Sequence, residues 1–178
     1  MKFFSTIALL ATAVAAVPSD KLFNLKTTGA SNSSHNDLYL SVGRGILHDP
    51  LNSEAVFSGV PASHAAAFSF TNGTIILNTP SNTTKVPWTL DLINVEGARK
   101  ERAQISIKPT HGSHGFTFGR EGLKGPSATW DGWLWCPTDL QAGQFFPNLH
   151  YLSSKVQEPA VPAGCDKIEL HAVPKKSA

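Results

Sequence analysis

The chain has 178 residues, and 15 Lys plus Arg against 13 Asp plus Glu leave a net charge of +2, or +1 without Lys2. Near-neutrality argues against a nucleic-acid binder, which needs a clustered basic face to neutralise several phosphates. A charged fraction of 16%, with 14 Gly and 12 Pro, marks a turn-rich chain and excludes a coiled coil, a charged disordered tail and a helical bundle.

Residues 1–16 combine one early positive charge, a short apolar stretch and small residues before Val17-Pro18. These are the three parts of a secretory signal peptide. Val14-Ala15-Ala16 suits cleavage after Ala16, with Ala15 as the alternative. The apolar part falls short of the roughly 20 residues needed to span a bilayer. The expected organisation is a signal peptide at 1–16 and a single all-β secreted domain at 17–178. That domain is long enough to bury a real core. The C-terminal Glu169–Ala178 lacks the hydrophobic tail of a lipid-anchor signal.

Beyond the leader no long segment repeats apolar residues at helical spacing. Short runs rich in Phe, Trp, Val, Ile and Thr recur instead, separated by Gly, Pro, Asn and Ser. In chain order they predict strands at Phe23–Lys26, Leu38–Val42, Ala67–Phe70, Thr74–Leu77 and Trp88–Ile93. Further strands are predicted at Ile105–Ile107, Gly115–Phe118, Trp133–Cys136, His150–Leu152 and Lys167–Val173. Phe68–Leu77 is the best hairpin, because Asn72-Gly73 can supply the positive backbone angles of a tight turn. Glu96–Arg102 reads as a solvated turn or one helical turn, and Val156–Gly164 as a Pro-rich crossover ending at Cys165.

The spacing carries weak internal repetition. Phe68-Ser-Phe70 and Phe116-Thr-Phe118 lie 48 residues apart, while Leu38-Tyr-Leu40, Trp88-Thr-Leu90 and Trp133-Leu-Trp135 are spaced by 50 and 45. Three units of this length predict a β-trefoil-like barrel, with a β-sandwich as the alternative.

Secretion decides how the cysteines read. Cys136 and Cys165 are the only pair, and an oxidising compartment favours their union over a reactive thiol. Closing the 29-residue loop is worth about 3–4 kcal/mol in the chain-entropy model. Asn32, Asn72 and Asn82 begin Asn-x-Ser/Thr triplets in polar, turn-like segments, where a eukaryotic host could attach N-glycans.

Catalytic templates fit poorly. The glycines around Ser113 in His111-Gly-Ser-His114-Gly115 do not stand in the order a nucleophile elbow uses. His111 and His114 would need a third ligand from elsewhere to hold a metal. Asp131 and Asp139 flank the tryptophan segment, and a glycosidase would need two carboxyls across a cleft, but Asp131-Gly132 reads more simply as a hairpin turn. No catalytic residue, metal or cofactor is assigned. Trp130, Trp133 and Trp135 are the most distinctive group: exposed, they could stack on sugar rings; buried, they would pack beside Cys136, the commoner fate, with Trp130 the member expected outside.

Together the leader, Phe23-Asn-Leu-Lys26, Leu38–Val42, Phe68–Leu77, Phe116–Leu123, Trp133–Thr138 and Cys165–Leu170 resemble the small secreted fungal cell-wall proteins of the PhiA type, associated with phialides and conidia. The resemblance implies an extracellular or wall-associated location and brings no catalytic residues. The expected function is a secreted, non-enzymatic, wall- or surface-associated fungal protein. Expected partners are a wall polysaccharide or another wall or host protein, with no nucleic acid or membrane, and the chain is expected to be a monomer. The alternatives are a trefoil lectin, a protease inhibitor or a secreted effector, with a small hydrolase as the enzymatic rival.

Overall fold

In the computed structural model, residues 21–43, 52–78, 87–93, 100–106, 113–126, 130–141, 144–153 and 161–175 are described. The leader, Asn82, His111 and most of the Pro-rich crossover lie outside them.

Twelve strands follow one another among the described residues: β1 (Phe23–Thr28), β2 (Tyr39–Gly43), β3 (Asn52–Ser58), β4 (Ala67–Thr71), β5 (Thr74–Asn78) and β6 (Trp88–Ile93), then β7 (Lys100–Ser106), β8 (Thr117–Gly119), β9 (Gly122–Lys124), β10 (Trp130–Gln141), β11 (Gln144–Ser153) and β12 (Asp166–Pro174). The β4–β5 hairpin turns at Asn72 (φ 49°) and Gly73 (φ 75°), the left-handed pair that matches the twist of the flanking strands.

The ladder closes on itself. From β10 it runs through β12, β1, β2, β3 and β11 and returns to β10, a closed six-stranded barrel with further strands attached. The pairing also falls into three four-strand units, β1–β4, β5–β8 and β9–β12. The outer strands of the units neighbour one another in turn: β12 pairs with β1, β1 with β4, β4 with β5, and β8 with β9. The β5–β8 step is made by Phe116 N–H donating to Gly73 O at 3.0 Å. At the β9–β12 step Gly122 (φ 83°) lies so close to the Leu170 carbonyl that a Cβ there would overlap it. The inner hairpins β2–β3, β6–β7 and β10–β11 meet at a three-cornered closure, in which β3 pairs with β7, β7 with β11, and β11 with β3. This is the trefoil-like barrel, and its closure rules out the two separate sheets of a sandwich.

The repeat spacing is matched by burial in its first two members, whereas in the third Trp133 is buried and Trp135 only half-buried. Leu40 and Leu90 are buried on β2 and β6, and Phe68 and Phe116 are buried on β4 and just before β8. Ile168 on β12 completes the second set, with an aliphatic side chain that hid it from the aromatic pattern. Together with Phe23, Leu25, Leu123, Trp133 and Leu170 they form one core, each large side chain contributing about 2 kcal/mol of burial.

Three local expectations are corrected. Residues 100–102, expected in a solvated turn or one helical turn, pair with Leu152, Tyr151 and His150 as part of β7. Asp131-Gly132 is not a hairpin turn: both residues lie inside β10, at a register shift between Trp130 and Gly132, where Gly132 has φ 142°. Such a bulge needs the same turn-type residues as a hairpin, and the pairing partner decides between them. β3 and β9 were not predicted at all, because their apolar alternation is too short to register without the strands they join.

Candidate functional site

The best-built polar cluster sits where the β1–β2 loop meets β10 and β12. Gly29 (φ 71°) and Asp37 (φ 60°) turn the chain at either end of this loop. Asn36 braces it from within, accepting from Ala30 N–H at 2.9 Å and donating to Ala30 O at 3.2 Å. Thr27 Oγ1 donates to His35 O at 2.7 Å and accepts from Leu38 N–H at 3.0 Å. Between them Ser33–His35 forms a short 3-10 turn capped by Asn32.

Asp166 holds this loop onto the barrel. Its Oδ1 accepts from Ser31 Oγ (2.7 Å) and Ser31 N–H (3.3 Å), and its Oδ2 from Asn32 N–H (2.9 Å), with His35 Nδ1 at 3.2 Å. The His35 and Asp166 side chains are 15% and 11% exposed. Burial alone would raise the carboxyl's pKa, but the bonds from Ser31, Asn32 and His35 outweigh it and lower the value from 3.8 to about 2. The His35 ring also lies flat on Trp135, with centroids 3.6 Å apart and planes 15° from parallel.

The disulfide organises the platform beneath. Cys136–Cys165 joins β10 to the residue before β12, and the adjacent residues Trp135 and Asp166 are directly paired. Paired residues of neighbouring strands share a face, so the indole and the carboxylate meet the loop together. Trp135 Nε1 is buried with no partner among the described residues.

Chemically, this arrangement fixes an imidazole. The carboxylate at Nδ1 and the indole beneath leave Nε2 on the outer side, 3.4 Å from Asn32 Nδ2. The hydroxyls nearby are committed elsewhere: Ser31 Oγ donates to Asp166, and Ser34 Oγ donates to Asn32 Oδ1 at 2.8 Å. Neither is hydrogen-bonded to Nε2 in the way a nucleophile is held by its base.

The other sequence candidates separate. Trp133 is 1% exposed, its indole N–H donates to Leu123 O, and its ring stacks on Phe116, so it belongs to the core and offers no face to a sugar. Trp130 is half-buried against Trp133, and Trp135 is half-buried under His35. Asn32 and Asn72 are exposed. Ser113 donates to Asp91 Oδ1 at 2.6 Å, while His114 Nδ1 lies 2.7 Å from Thr74 Oγ1, so the Ser113–His114 segment is tied to two different strands. Asp131 is exposed, and the side chain of Asp139 lies outside the described residues. Among the described residues no group of three or more His, Cys, Asp or Glu is placed to hold a metal.

Ser31, His35 and Asp166 were missed by sequence reasoning. One signal existed for part of the cluster: once Cys136 and Cys165 are joined, the neighbours Trp135 and Asp166 are brought together. Nothing in the sequence placed His35 above them.

Residues 20–174 match a family described as a domain of unknown function, DUF7907. The chain belongs to that family. No curated protein and no solved structure is significantly similar to it. The family spans all twelve strands, so the loop cluster, the disulfide and the closed barrel fall within one family unit.

Proposed function

We propose that this chain is a secreted, non-enzymatic binding protein, associated with a fungal cell wall or surface, in which a rigid trefoil-like barrel presents its loops for recognition. The observation that carries this reading is the Cys136–Cys165 bond, which joins the only two cysteines of the chain behind a leader-like N-terminus. Such a bond suits an oxidising, extracellular setting. The wiring of the polar cluster supports binding over hydrolysis, because the Asp166 carboxylate is occupied by loop donors and the nearby hydroxyls are turned away from His35. No helix among the described residues is long and apolar enough to cross a membrane.

A wall polysaccharide is the proposed partner, and the resemblance to PhiA-type wall proteins favours it over a host target. The core position of Trp133 removes it from any binding surface. Among the described residues, Phe146 on β11 is exposed (44%), and Trp130 is one of several half-buried aromatic side chains with a face for a sugar ring.

The test is retention of the secreted protein on insoluble chitin, β-glucan and mannan, with Phe146→Ser and Trp130→Phe variants alongside. Saturable binding to one polymer, weakened in a variant that melts like the parent, is the expected outcome. Absence of retention on all three polymers would overturn the polysaccharide reading.

A further inference from the structure

Two of the Asn-x-Ser/Thr triplets lie within the described residues, and their wiring differs. Asn72 is exposed in the β4–β5 turn, but the hydroxyl of Thr74 is drawn inward to His114 Nδ1. Asn32 keeps its triplet together on the surface. Its Oδ1 accepts from both the N–H (3.1 Å) and the Oγ (2.8 Å) of Ser34, so the oxygen of the amide is used locally. The nitrogen is not consumed by the same turn. Nδ2 faces His35 Nε2 at 3.4 Å, which accounts for one of its two N–H groups.

We propose that Asn32 is an N-glycan attachment site and that the first sugar covers the outer edge of His35 above Trp135. This inference rests on the secreted reading above. In the reaction Nδ2 attacks C1 of a lipid-linked oligosaccharyl diphosphate. The Nδ2–C1 bond forms, the C1–O bond breaks with its electron pair leaving on the lipid diphosphate, and one Nδ2 proton is lost to the transferase's base.

The product suits the folded loop. A glycosylated asparagine is a secondary amide, so Oδ1 still accepts from Ser34 and the cap of the 3-10 turn survives. The remaining Nδ2–H still faces His35. The sugar then takes the place of solvent beside the imidazole edge, with the carboxylate of Asp166 and the Trp135 ring holding that edge in position.

The experiment expresses the full chain, leader included, in a secreting yeast. Protein from the medium is treated with peptide N-glycosidase in heavy-oxygen water and mapped by mass spectrometry. The expected result is labelled Asn-to-Asp conversion at Asn32, lost in Ser34→Ala and retained in Ser34→Thr. Ser34→Ala removes the acceptor triplet but leaves the Ser34 backbone N–H to bond Asn32, so the loop keeps its cap. Diethyl pyrocarbonate should modify His35 more slowly in the glycosylated protein than in Ser34→Ala. Secreted protein unlabelled at Asn32 would overturn the attachment site while leaving secretion intact. A chain retained inside the cell and unlabelled would overturn both readings, and equal His35 reactivity in the two forms would overturn the covering role.

Discussion

At the β1–β2 corner the Asp166 carboxylate gathers Ser31, Asn32 and His35, whereas at the entry to β8 the Asp91 carboxylate takes Ser113 while His114 turns to Thr74. Both corners bring a serine, a histidine and an aspartate into one neighbourhood. The first wires His to Asp directly and stacks the ring on an indole; the second sends the two side chains to different strands. Both are loop anchors, and their difference lies in how much one carboxylate carries. Residue types in proximity do not define a site; the direction of each hydrogen bond does.

The largest break in this comparison comes from the disulfide, which secures only the first corner. The Cys136→Ala/Cys165→Ala double variant should lose about 3–4 kcal/mol of stability by urea unfolding, the cost of reopening the loop in the unfolded-state ensemble. It should also raise the reactivity of His35 toward diethyl pyrocarbonate, because the Trp135–Asp166 pair is no longer pinned. Unchanged His35 reactivity would show that the β10–β12 pairing alone holds the platform.

Asp166→Asn comes next. Its amide can no longer accept four bonds as an anion, and we expect a loss of about 2–3 kcal/mol at neutral pH. The same carboxyl gives the first corner an acid sensitivity. Its folded pKa of about 2 lies below the ordinary 3.8, so the unfolded chain binds the proton first as pH falls. The stabilisation is fully present above about pH 4 and is lost as pH drops through 2, amounting to about 2 kcal/mol. Urea unfolding of parent and variant from pH 6 down to pH 2 checks this, since the difference between them should shrink only in the acid part of that range. A difference constant across it would remove Asp166 from the account.

The smallest effect belongs to the second corner. Ser113 Oγ accepts from Leu92 N–H at 2.9 Å and donates to Asp91, so Ser113→Ala leaves one part-buried N–H and one carboxylate oxygen to find water. A loss of about 1 kcal/mol is expected, with no change in His35 reactivity. A loss as large as that of Asp166→Asn would show that the two corners carry equal weight.

Much of the architecture was legible because it is repeated locally. Leu38-Tyr-Leu40, Trp88-Thr-Leu90 and Trp133-Leu-Trp135 mark β2, β6 and the tryptophan part of β10, and Asn72-Gly73 marks a hairpin by its backbone needs alone. The charged start of β7 was not legible, although its end was predicted with the Ile105–Ile107 strand, since strand pairing with β3, β6 and β11 overrides what Lys100, Glu101 and Arg102 prefer by themselves. The bulge at Asp131-Gly132 was mistaken for a turn for the same reason. The candidate site was the least legible part, because Ser31 and Asp166 are 135 residues apart and no local pattern joins them.

By itself the sequence determined the all-β class, the threefold spacing of its apolar strands and the pairing of its two cysteines. These follow from short-range periodicity and from the presence of a single possible cysteine partner. Only the tertiary structure decided that Trp133 is core while Trp135 carries an imidazole, and that Asp166 serves the loop. Those outcomes depend on which strands become neighbours when the barrel closes, and closure is a long-range event that no short stretch of chain encodes.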